Sequence, residues 1–96
     1  MANFLNDIVE AVRGEKILAV QIFNNPRYEY NGVDPAKDVL GKKLTFEEIW
    51  PHLNYEYDTG YGNQDCHDIF VWTATKVFFI HEYDGSTYIK SAPRFF

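Results

Sequence analysis

The densest chemistry in this chain is Asp65-Cys66-His67-Asp68, a thiol and an imidazole held between two carboxylates. His81 and Glu82 join it if the last strands form a hairpin. A cysteine beside a histidine suggests a nucleophilic dyad, because the imidazole can take the thiol proton. In a strand, however, residues 66 and 67 point to opposite faces. Cys66 then meets His81 only if the loop bends. Asp68 and His81 oppose one another in the hairpin register derived below, so that carboxylate could orient that imidazole for acid–base work. Asp68 and His81 are the catalytic candidates, and an ion pair that merely braces a sheet is the competing reading.

Other site chemistries are poorly served. His52, Cys66, His67 and His81 supply ligand types for zinc, but no C-x-x-C or H-x-x-x-H spacing brings them together. The acidic run 58–68 hints at calcium, yet it places Gly60 and Gly62 where an EF-hand loop needs oxygen ligands. Gly41-Lys42-Lys43 lacks the earlier glycine and the following Ser or Thr of a Walker loop. The segment Tyr57-Asp58-Thr59-Gly60-Tyr61-Gly62 could cradle a ligand with backbone amides, or simply connect two elements. No metal and no cofactor is expected.

The elements that must position these residues are legible from pattern. Asn3 suits an N-cap, and Phe4, Leu5, Ile8, Val9 and Val12 make one apolar stripe of a helix that Gly14 can end. Asn6, Asp7, Glu10 and Arg13 face the other way. Residues 16–23 read as a largely buried strand, stopped by Asn24-Asn25-Pro26. Tyr28, Tyr30 and an Asn31-Gly32 turn follow, then Asp34-Pro35 as a possible start of a short helical segment. Thr45 and Glu48 form a capping box, with Leu44 and Ile49 as a hydrophobic staple. Pro51 keeps that second helix short or kinked. Residues 55–68 read as a loop, with a possible short strand at 53–57. Strands at 69–73, 77–83 and 87–91 complete a C-terminal meander, turning at Ala74-Thr75 and at Asp84-Gly85.

These two turns fix the register. Asp68 falls opposite His81, Phe70 opposite Phe79, Trp72 opposite Val77, and His81 opposite Tyr88. Ile69, Val71, Phe78, Ile80 and Ile89 then share an aliphatic face for the N-terminal helix. The other face collects Phe70, Trp72, Val77, Phe79, His81, Tyr83 and Tyr88, with Asp68 and Lys90. It is too apolar to leave bare. The second helix and long loop could cover it, a second copy could, or a ligand could lie there with Asp68, His81 and Tyr88 as polar anchors.

The expected fold class is therefore α+β. An N-terminal helix packs on an antiparallel sheet of about four strands, with a C-terminal β-meander and a short second helix. The 96 residues form one domain spanning 1–96. The formal net charge is -5, and residues 47–84 hold eight acids against the single base Lys76. Direct binding of a nucleic-acid backbone, which needs clustered Lys and Arg, is not expected. A basic protein surface is the natural partner of such a charge pattern. Cys66 is the lone cysteine, and neither a signal peptide nor a membrane span is evident, so a cytoplasmic location is expected, in the host cell if the chain is viral.

In size and charge alone, the chain resembles the small acidic proteins with which phages block host enzymes. The leading expectation is thus a non-enzymatic binding protein or inhibitor. Its candidate contacts are Tyr55, Glu56, Tyr57, Asp58, Tyr61 and Asp65, with Trp72, Tyr83 and Tyr88 on the aromatic face. Self-association into a twofold homodimer is expected to cover that face. The alternative is a homo-oligomeric binder of a nucleotide-like small molecule, stacking its base on the rings and using Lys90 and Arg94. A small hydrolase built on His81 and Asp68 comes third.

Overall fold

A computed structural model describes residues 2–28, 32–60 and 64–94. Helix α1 (Phe4–Val12) begins where the Asn3 side chain accepts the Asn6 amide hydrogen. It ends at Arg13 and Gly14, both in the left-handed region. Phe4, Ile8 and Val12 are buried, as the apolar stripe requires, but Val9 lies at the stripe's edge and is exposed. Helix α2 (Phe46–Leu53) has the complete capping box, Thr45 and Glu48 each satisfying the other's backbone amide. Pro51 lies inside this helix, which ends two residues later.

The main sheet has five antiparallel strands rather than about four. They are β2 (Ala19–Ile22), β3 (Lys43–Leu44), β5 (Ile69–Trp72), β6 (Lys76–Tyr83) and β7 (Ser86–Pro93), in the order β3-β2-β5-β6-β7. The meander has the register derived from its turns: Phe70 opposes Phe79, Trp72 opposes Val77, and His81 opposes Tyr88. Asp84 and Gly85 both have positive φ, which is the type I′ hairpin that Asp-Gly favours. A separate two-stranded ribbon pairs β1 (Ala2–Asn3) with β4 (Glu56–Tyr57). Two-residue strands carry no readable period, so β1 and β3 leave no trace in the pattern.

Several boundaries shift for physical reasons. The strand expected over 16–23 narrows to Ala19–Ile22, and only Val20 and Ile22 are fully buried. It is half-buried because the described residues cover the sheet on one side only. The short helical segment after Asp34 is a 3-10 turn at Lys37–Val39, and just ahead of it the Asp34 carboxylate accepts the Ala36 amide hydrogen. Tyr30 and Asn31 of the expected turn lie outside the described residues.

The core is a single apolar layer between the helices and one sheet face. Phe4, Ile8 and Val12 of α1 and Ile49 and Leu53 of α2 pack with Val20, Ile22, Ile69, Val71 and Phe78. Ile80 and Ile89, expected under the same helix, are only half-buried because the meander extends past it. Among the described residues no helix is long and apolar enough to cross a membrane.

Candidate functional site

The residues nominated for binding divide into two groups. Tyr55, Tyr57 and Asp65 were expected on an acidic contact surface, but the fold uses all three internally. Tyr57 is 1% exposed and donates its hydroxyl hydrogen to the Asp7 carboxylate at 2.6 Å, linking β4 to the first turn of α1. Burial and that carboxylate push the Tyr57 phenol above its ordinary pKa. Asp7, expected on the solvated face of α1, is therefore turned inward. Asp65 takes a bidentate pair from Arg27, both bonds at 2.9 Å, and also accepts the Asp58 amide hydrogen. The Arg27 bonds hold the Asp65 carboxyl below its ordinary range. Arg27 further donates to the Glu56 carbonyl and lies over the Tyr55 ring, so one guanidinium ties together three stretches of chain. Glu56 remains exposed, the Asp58 side chain caps the Gly60 amide, and Tyr61 lies outside the described residues.

The catalytic candidates are not brought together as a pair. The β5–β6 ladder runs only from Phe70 to Trp72 on β5, so Asp68 is outside it. The Asp68 carboxylate instead accepts from the Gln64 amide at 3.0 Å, and His81 packs its ring against Tyr88. The Asp–His pair of this protein is a different one. His67 is buried, with Nε2 at 2.8 Å from the Asp34 carboxylate and Nδ1 at 2.8 Å from the Tyr55 hydroxyl. The Tyr55 oxygen also accepts the His67 amide hydrogen at 3.0 Å.

One proton assignment satisfies this whole network: Nε2–H donates to Asp34, and the Tyr55 O–H donates to Nδ1. Burial depresses the His67 pKa and outweighs the opposing effect of Asp34. Burial also raises the Tyr55 phenol. The imidazole is thus neutral with both nitrogens occupied, and the phenol is far from ionising. A cleft of about 220 Å³ adjoins them, lined in part by His52 and Pro51. Both imidazole nitrogens of His67 and the Tyr55 hydroxyl are committed to hydrogen bonds within the cluster. Sequence reasoning missed it because its members are 12 and 33 residues apart, with no spacing rule to connect them.

Cys66 is fully buried, and burial pushes its thiol up to about 12. It stays protonated and weakly nucleophilic at neutral pH. Among the described residues no cluster of three or more His, Cys, Asp and Glu side chains could hold a metal ion.

The second group of candidates stays on the surface. Trp72, Tyr83 and Tyr88 share the face of the sheet opposite the helices with Phe70, Phe79 and His81. Neither α2 nor the described parts of the long loop cover it: Phe70 is 41%, Tyr83 70% and Tyr88 38% exposed. Phe70 and Phe79 are directly opposed at its centre, Phe23 packs edge-on against Phe70, and Phe70 packs against Trp72. Lys43 stands over Trp72 at 4.5 Å and Lys90 over Tyr88 at 5.8 Å, one toward each side of the sheet. Aromatic rings on three adjacent strands therefore form one apolar surface bounded by cations.

No known protein family, curated protein or solved structure matches this chain.

Proposed function

We propose that this chain is a non-enzymatic interaction protein whose contact surface is the open aromatic face of its sheet. One observation carries the reading: Phe70, Tyr83 and Tyr88 are exposed together on a face that the other described residues leave uncovered. Water-exposed rings at this density are costly in an isolated chain and are the usual anchors of a protein contact. The surroundings fit as well, with an apolar centre at Phe70 and Phe79 and charged Lys43 and Lys90 around it. The titratable clusters give no support to hydrolysis, since His67, Tyr55 and Cys66 are satisfied or buried. They brace the loops beneath the helices.

The test is crosslinking from inside the surface. A photoreactive benzoylphenylalanine replaces Tyr83 or Tyr88, and as a control Glu10 on α1, in cells that make the protein. Protein adducts are expected from positions 83 and 88 and not from position 10. An absence of adducts from both sheet positions would refute the reading.

A further inference from the structure

We propose that a cleft beside the end of β2 takes an arginine residue of a peptide, with its guanidinium on Asp34 and Asp68 and a carbonyl oxygen of its backbone on the Asn25 side-chain amide. The proposal does not rest on the reading of the aromatic face.

The cleft encloses about 520 Å³ and is lined by Asn24, Asn25, Pro26, Tyr28, Asp34 and Asp68. That volume suits a small ligand or one side chain with its backbone. Its acids are held in place. The Asp68 amide hydrogen goes to the Asn24 carbonyl at 3.3 Å, and the Phe23 amide hydrogen to the Asp68 carbonyl at 2.8 Å. Asp34 is fixed by the His67 ring and by the Ala36 amide.

Asn25 supplies the observation that points to a ligand. It is 3% exposed, and its Nδ2 has no hydrogen-bond partner among the described residues. Exchanging the nitrogen and oxygen of this amide does not cure the defect. Oδ1 accepts the Arg27 amide hydrogen at 3.0 Å, so an acceptor must stand at that position. A buried donor left without an acceptor is costly and rare in a native protein. Shielded from bulk water, it bonds strongly to an acceptor that does reach it.

The charge of the walls selects what brings that acceptor. Two of the six lining residues are carboxylates and none is basic. Asp68 Oδ1 accepts from Gln64 and Asp34 Oδ2 from His67, one bond each, so both carboxylates retain lone pairs. The neighbouring Arg27 is spent on Asp65. The ligand must therefore bring its own cation. A bare metal ion would satisfy the acids but set a positive charge against the unpartnered donor. Pro26 and Tyr28 offer apolar surface for a hydrocarbon stem. Cation, stem and carbonyl oxygen in one unit are the chemistry of a basic peptide residue. Arginine fits better than lysine, because its five donors can serve two carboxylates at once.

Nuclear magnetic resonance of the labelled full chain tests this through the Asn25 side-chain amide signals, which Asn25→Asp identifies by their absence. The probe is N-acetyl-arginine N′-methylamide. It is expected to move those signals downfield as the donor gains an acceptor, with a dissociation constant below about 1 mM. The citrulline analogue, equal in shape but uncharged, should bind at least about tenfold more weakly. Asp68→Asn, which can still accept from Gln64, should weaken the arginine probe by about tenfold with the far-ultraviolet dichroism unchanged. Asn25 signals that stay in place with about 10 mM probe overturn the inference. So does an equal response to citrulline, a comparison that needs no variant, and so does undiminished binding to a folded Asp68→Asn protein.

Discussion

His67 is the side chain whose environment departs furthest from what its type leads one to expect. An imidazole between a carboxylate and a phenol resembles a catalytic relay. Here both nitrogens are committed, and burial lowers the pKa, so the ring is a neutral brace between Asp34 and Tyr55. The consequence for stability follows from linkage. The unfolded chain takes up this proton near its ordinary value of about 6.5. The native chain resists it until lower pH, so the unfolded state holds more protons between those limits. The stabilisation is therefore complete above about pH 6.5 and is lost as pH falls through the depressed native value. Urea midpoints should fall between pH 7.5 and pH 5, and this fall should shrink in His67→Gln. An equal fall in both proteins would place the pH sensitivity elsewhere.

Cys66 makes a second prediction at this scale. Its thiol is buried and held protonated, so a disulfide reagent that attacks thiolates should react at pH 8 only as fast as the protein opens. Reaction should be at least about a hundredfold faster in denaturing urea. Prompt reaction in the native protein would mean that the segment carrying Cys66 is not packed as described.

Among the elements, α2 shows how local signals and tertiary packing divide the work. Its start is set by Thr45 and Glu48, which satisfy each other's amides within four residues. Its stability comes from Ile49 and Leu53, which are fully buried in the core. Thr45→Ala removes the cap and leaves the core untouched, so the loss should be about 1 kcal/mol by urea denaturation. A loss near zero would show that the packed face alone holds the first turn. The β1–β4 ribbon works the other way. Its few pairs acquire their hold from Tyr57, whose ring meets Phe4 and whose hydroxyl reaches Asp7.

For the whole molecule, the two sides of the sheet differ in cover and in charge. Acids and bases are mixed on the helical side, where Arg13 and Lys76 line one cleft with Asp7 and Glu10, whereas Lys43 and Lys90 stand over rings of the aromatic face.

The sequence by itself determined whatever depends on near neighbours along the chain. The capping box at Thr45, the Asn3 cap and the Asp84-Gly85 turn are local hydrogen-bonding and φ requirements, and they appear where the residue types put them. The turns in turn fixed the register, and with it the two unequal faces of the meander, because side chains alternate strictly along a strand. Only the tertiary structure decided which aromatic residues are buried. Tyr55 and Tyr57, beside Glu56 and Asp58, look as suitable for a surface as Tyr83 beside Glu82 and Asp84. Arg27, Asp7 and His67 draw the first pair inward across separations of 12 to 50 residues, by contacts that no periodicity announces. Tyr83 stays outside because both helices lie on the opposite side of the sheet, and the described chain has no third layer to place over it.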